Sequence, residues 1–96
     1  RILRKEKDIS ESDKRSGQTL LEIAVGLNSN LDNRRVKEVK WPSNCLLVSI
    51  RRGEEEIIPH GNTTILAGDY LNILTSQDQA PQTYKLMQLM AEAIPC

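Results

Sequence analysis

Apolar and polar residues alternate from Thr19 to Gly26 (TLLEIAVG), with Leu21, Ile23 and Val25 on one side and Leu20, Glu22 and Ala24 on the other. A period of two over that length predicts a half-buried strand. Asn28 to Asn30 is a polar break. Asp32 or Asn33 then stands where a cap would start a short helix over Arg34 to Val39, with Leu31, Val36 and Val39 as its thin apolar stripe. Pro42 ends that helix, because the residue before a proline, here Trp41, is pushed out of the helical region.

Cys45 to Ile50 is nearly continuous in apolar residues, and a strand there would put Leu46, Val48 and Ile50 on one face and Leu47 and Ser49 on the other. Arg52-Gly53-Glu54 supplies a turn, with Gly53 free to take the positive φ of a reversal. Glu56 to Pro59 returns as the partner strand, ending at Pro59, which has no N–H to donate. A Gly61-Asn62-Thr63 loop and an Ala67-Gly68-Asp69 turn lead into Tyr70 to Thr75, where Leu71 and Ile73 alternate with Asn72 and Leu74. Beyond Asp78, Pro81 suits a first helical turn. Tyr84, Met87, Ala91 and Ile94 then recur at steps of three and four, Leu86 and Met90 widen the stripe, and Pro95 stops it. The order is β-α-β-β-β-α, an α+β domain with a mainly antiparallel sheet.

Composition narrows the function. Ninety-six residues make one small domain, and a hydrophobic fraction of 39% with one Trp, two Tyr and no Phe gives it a thin core. A partner surface would offset that shortage, so a dimer is expected. Thirteen basic and thirteen acidic residues balance, leaving no net field to attract nucleic acid. The Arg34-Arg35 and Arg51-Arg52 pairs read as helix and turn surface, since no aromatic platform accompanies them. Residues 1 to 16 (RILRKEKDISESDKRS) are mostly charged and read as a linker, with residues 17 to 96 as the domain. The basic cluster Arg1, Arg4, Lys5 and Lys7 suits a segment following a membrane domain. The chain opens on Arg rather than Met, which reads as a fragment or a processed product.

No catalytic constellation is visible. His60 is the lone histidine and lies in a loop, without Cys or His companions to complete a metal set. Glu54, Glu55 and Glu56 read as solvated charges at a hairpin. Cys45 and Cys96 are too few and too far apart for a disulfide framework or a metal site, and two reduced thiols point to a cytoplasmic address. The expectation is therefore no catalytic residue, no metal and no resident cofactor.

The stretch LLVSIRRGEEEIIPHGNTTILAGDYLNIL resembles the C-terminal ligand-sensing domain of potassium-conductance regulators, the RCK-C or TrkA-C domain. Its marks are Ile50-Arg51-Arg52-Gly53, then Ile57-Ile58-Pro59, then Gly68-Asp69, and the likeness runs from about Leu20 to Met90. The resemblance implies a homodimeric regulatory module on the cytoplasmic side of a transport protein, acting with a membrane domain of the same polypeptide. Trp41-Pro42 followed by Ser-Asn-Cys-Leu-Leu-Val looks most like the version fused to bacterial CLC-type chloride channels or exchangers. A potassium channel or uptake system, a cation-proton antiporter, and a ligand-free assembly domain are the alternatives. Some relatives bind cyclic di-AMP at the dimer seam, which by position implies a nucleotide effector touching Lys40, Cys45, Leu46, Pro59 and His60. Cys45-Leu46 departs from the Ile-Asn of nucleotide-binding members, at the cost of a polar contact to the base. Glu38 and Lys40 only loosely replace those members' acidic and basic pair.

Overall fold

The computed structural model describes residues 17–93. Its elements, in chain order, are β1 (Gln18–Ala24), β2 (Arg34–Arg35), a 3-10 turn (Val36–Glu38), β3 (Cys45–Arg52), β4 (Glu55–Ile57), β5 (Thr64–Ile65), β6 (Tyr70–Ser76) and α1 (Ala80–Ala91). The charged leader and residues 94–96 lie outside the described residues, and α1, expected to run through Ile94 to a stop at Pro95, ends earlier, at Ala91, where Glu92 is already extended.

Four strands form one antiparallel sheet in the order β1-β6-β3-β4, and β2 and β5 form a separate two-stranded ribbon. The fold is thus a small α+β domain with a mainly antiparallel sheet and a C-terminal helix. The alternation read in β1 and β6 holds: Ile23, Leu71 and Ile73 are fully buried on the inner face, whereas Leu20 and Tyr70 are exposed on the outer one. α1 lies chiefly over β1 and turns Thr83, Met87 and Ala91 inward. Thr83 buries its hydroxyl against the Thr75 hydroxyl at 3.3 Å, whereas Tyr84 and Leu86, read as part of the stripe, face out. Met90 is half-buried and packs against the core.

The expected helix over Arg34 to Val39 does not form. Asn33 has a φ of 66°, in the left-handed region, and Arg35 is extended. Arg34 and Arg35 instead pair with Ile65 and Thr64, a contact between segments far apart in the chain that local propensity cannot foresee. Only the three-residue 3-10 turn that follows is helical. Asp32 caps no helix; its carboxylate accepts the N–H groups of Asn28 and Ala67, both at 2.9 Å, tying the first turn to the fifth strand's exit.

β3 also departs from simple alternation. A bulge between Leu47 and Ser49 shifts its register on β6, so that Leu46 faces Leu74 outward while Ile50 faces Leu71 inward. Ser49 consequently moves to the outer face, where it donates to Glu56 Oε2 at 2.7 Å and accepts from Asn72 Nδ2 at 2.9 Å. Glu56 is therefore engaged, and not merely a solvated turn charge.

The arginine pair splits in two. Arg51 points outward, bonded to Glu22 at 2.7 Å and stacked 4.5 Å above the Tyr70 ring. Arg52, expected on the turn surface, is turned towards the interior. Its Nε and a terminal nitrogen donate to the two oxygens of Asp69 at 2.8 and 2.7 Å, and that carboxylate is only 1% exposed.

Gly26 is where β1 leaves the sheet and meets the end of α1. Its N–H donates to Ala91 O at 2.7 Å, and a Cβ there would stand 2.5 Å from the Ala93 nitrogen and 2.7 Å from Ala91 O. Those are main-chain atoms, which cannot swing aside. Gly26→Ala is expected to lower stability by about 2 kcal/mol through forced overpacking, read as a shift in the urea midpoint. An unchanged midpoint would show that the helix end is loosely docked.

Candidate functional site

The loop between β4 and β5 is fastened to the segment before β3 by main-chain bonds. Val36 N–H donates to Thr63 O and Lys37 N–H to Gly61 O, both at 2.9 Å. Within the loop, His60 N–H donates to Thr63 Oγ1 at 2.9 Å and Thr63 N–H returns to His60 O at 3.0 Å. Pro59 and His60 are thereby held beside the first residues of β3, because β4 is the hairpin partner of β3 and delivers the loop to that side.

The result is a shallow cavity of about 230 Å³, lined by Trp41, Cys45, Leu46, Leu47, Pro59 and His60 with Val36 and Gly61 at its margin. Cys45, Leu46, Pro59 and His60, singled out from sequence, thus share one cavity. Lys40 does not join them. The chain leaves the 3-10 turn extended at Val39, and Lys40 lines a different cavity of about 240 Å³, with Leu31, Arg34, Glu38 and Met90.

Trp41 is the wall that site reasoning from sequence passed over. Its indole N–H is spent on Val36 O at 3.1 Å, which fixes the ring plane and leaves its surface for contact. The signal was present in the only tryptophan of the chain, set immediately before a proline. A larger groove of about 390 Å³ lies alongside, lined by Gln18, Asn44, Leu74, Thr75 and Ser76, and shares Cys45 and Leu46 with the first.

The chemistry of the cavity is mainly apolar. His60 Nδ1 accepts the Asn62 N–H at 3.2 Å, so the neutral ring carries its proton on Nε2, available to an acceptor on a ligand. The Cys45 thiol donates to Pro42 O at 3.1 Å, and burial pushes its pKa up, which keeps it a thiol rather than a thiolate near neutrality. Glu38, on the other flank, is held below the usual carboxylate range by the Arg35 N–H at 3.0 Å and the Arg35 guanidinium at 3.1 Å. Hydrogen bonding to Glu22 raises the Arg51 pKa, and bonding to Asp69 raises that of Arg52. Among the described residues, no group of three or more His, Cys, Asp or Glu is arranged to hold a metal ion. No described helix is long and apolar enough to cross a membrane.

The outer face of the sheet adjoins the cavity. Leu20, Leu74 and Leu46 lie directly opposite one another on β1, β6 and β3, an unbroken apolar row across three strands. Leu20 is 55% exposed and Leu46 62% exposed, with Val48 also outward at the bulge. The inner face is covered by α1, and Leu31 and Ile65 complete its buried core. Leu46 belongs both to the row and to the cavity wall.

A family model described as the TrkA-C domain matches residues 20–88. Among solved structures, one described as an RCK domain with cda is similar with a TM-score of 0.61 and 25% sequence identity, over 74% of this chain and 96% of that one.

The state of Cys45 is directly measurable. In a Cys96→Ser background at pH 7.5, Cys45 is expected to react with iodoacetamide at least about threefold more slowly than an unhindered thiol, and at the same rate once unfolded in guanidinium. Equal rates in the folded and unfolded chain would mean that this side of the cavity is open.

Proposed function

The chain belongs to the TrkA-C domain family, regulatory domains of ion-transport systems, and from that premise we propose that it is a non-enzymatic, ligand-sensing domain that works as a homodimer. Its parent on this reading is a bacterial ion transporter of the CLC chloride type, suggested by the Trp41-Pro42 start, with residues 1 to 16 joining the domain to the membrane part and the domain on the cytoplasmic side. A regulatory domain of a potassium channel, uptake system or cation-proton antiporter would use the same module.

One observation carries the reading: the apolar cavity and the outward leucine row share Leu46. A second copy covering the row would come to rest at the mouth of the cavity. A ligand held against Trp41, Pro59 and His60 would then touch the seam, and its binding energy would depend on how the two copies are set. A ligand shifts such an equilibrium only by its unequal affinity for the two arrangements, and a seam-side site provides that inequality. The similarity to an RCK domain described with cda makes cyclic di-AMP the first effector to try. The cavity's mainly apolar walls suit the flat face of a base, and His60 Nε2 offers one donor.

The leucine row also favours a second reading, a dry assembly domain, because the row calls for cover whether or not a ligand is present.

Titration calorimetry of the chain with cyclic di-AMP separates the two. Binding that weakens at least about tenfold, or by about 1.4 kcal/mol, in His60→Ala supports sensing. No heat at millimolar ligand, from a chain that sediments as a dimer, would leave assembly as the function.

A further inference from the structure

Next to the leucine row, the sheet carries a polar row. Gln18 faces Ser76 one step of the alternation beyond Leu20 and Leu74, and Asn44 immediately precedes Cys45, which faces Thr75. These three line the groove of about 390 Å³ together with Leu46 and Leu74. Asn44 is held there in a left-handed conformation, φ 61°, by the Thr75 hydroxyl, which donates to its carbonyl at 3.1 Å and meets Thr83 of α1 at 3.3 Å. Ser76 Oγ accepts the Gln79 N–H at 3.3 Å, which leaves its own hydrogen to donate. Cys45 and Leu46 line both this groove and the cavity of Trp41 and His60, so the two hollows meet there.

Neither hollow has a charged wall. Among the described residues that line them, none is Lys, Arg, Asp or Glu. Cys45 is a neutral thiol bonded to Pro42 O, and Lys40 lines the separate cavity with Arg34. Lys37 lies against Gly61 at the margin, but it is exposed, where a cation is hydrated and screened. A second copy resting on the leucine row would roof both hollows, and Arg51, outward on that face, is already bonded to Glu22 at 2.7 Å. A phosphate carried into these hollows would therefore give up water and gain no counter-charge. A wholly apolar ligand fails as well, because it would leave the carboxamides and the hydroxyl of the polar row unanswered.

We propose that the ligand of this site is an uncharged nucleoside, with its base against Trp41 and Pro59 and its sugar reaching past Leu46 to Gln18 and Asn44. This rests on the sensing reading above and narrows it, setting a neutral ligand ahead of a phosphate-bearing one. The cavity of about 230 Å³ falls short of the roughly 300–1,000 Å³ of whole-ligand sites, so it takes one ring system and the remainder needs the groove. The flat base meets apolar walls and the single donor His60 Nε2. The sugar hydroxyls, each donor and acceptor at once, suit carboxamides, which are the same.

Trp41 is the chain's only tryptophan and lines the cavity, so its fluorescence reports occupancy directly. Titrations of the whole chain with adenosine, AMP and adenine, at pH about 8 where imidazoles are neutral, test the assignment. Adenosine is expected to bind at least about tenfold tighter than AMP, which differs from it only by the phosphate. Gln18→Ala and Asn44→Gly, the latter keeping a residue suited to positive φ, should each weaken adenosine at least about threefold and leave adenine unchanged. AMP binding as tightly as adenosine overturns the proposal and leaves the sensing reading standing, as does cyclic di-AMP binding where adenosine does not. Adenosine affinity unmoved by both variants overturns it too, since the sugar then lies elsewhere. No response to any of these ligands removes the proposal and the sensing reading together.

Discussion

Arg52 and Asp69 meet through two parallel hydrogen bonds of 2.8 and 2.7 Å, and nearly everything else in the domain is hung from that pair. Asp69 is almost wholly buried, and an ionised carboxylate is held there only by donors that replace water. Arg52 supplies two, and the Leu66 N–H a third at 2.9 Å. The Asp69 carbonyl takes the Val25 N–H, which ties the exit of β1 to the same residue. Arg52 also donates to Thr64 O at 2.9 Å. One side-chain pair thus joins the end of β3, the start of β5, the turn before β6 and the exit of β1. The hydrogen bond to Asp69 in turn raises the Arg52 pKa.

The cavity inherits its geometry from this arrangement. With Thr64 O held by Arg52 and Thr64 paired to Arg35, the β5 end of the 58–63 loop is fixed. The other end is fixed by the β3-β4 hairpin. Between these two anchors, the loop's own bonds leave His60 facing Trp41 and the first residues of β3. The proposed sensing role would use this cavity as the fixed side of a ligand site, with a second copy as its movable side. On that proposal the second copy would sit on the outward leucine row of β1, β6 and β3.

How much of this was readable in the sequence depends on the range of the interaction concerned. β1, β6 and α1 follow from periodicity, because their inner faces are defined by residues two or three to four apart. The expected helix at 34–39 fails because Arg34 and Arg35 pair with Ile65 and Thr64, and because Asn33 takes a left-handed φ that a cap-forming residue does not announce. The β3 bulge was invisible for a similar reason: Leu46 and Ile50 both suit a strand, and only the register on β6 sends one outward and the other inward. The resemblance marked Arg52 and Asp69 separately, yet nothing local indicated that they would bond to each other. Cys45-Leu46 and Pro59-His60 come together because the β3-β4 hairpin sends the loop back along β3 and the bonds of Val36 and Lys37 to Thr63 and Gly61 hold it there. Lys40 lines a separate cavity, because its position depends on how the chain leaves the 3-10 turn, which sequence reads as a helix.

Arg52 and Asp69 hold the fold as one unit if their contributions to stability are coupled. A double-mutant cycle with Arg52→Met, Asp69→Asn and the combined variant, each followed by urea unfolding, measures that directly. The expected coupling is about 2 kcal/mol, with each single change nearly as damaging as the two together, since either one leaves the other's charge without its partner. Additive losses, with coupling near zero, would contradict it.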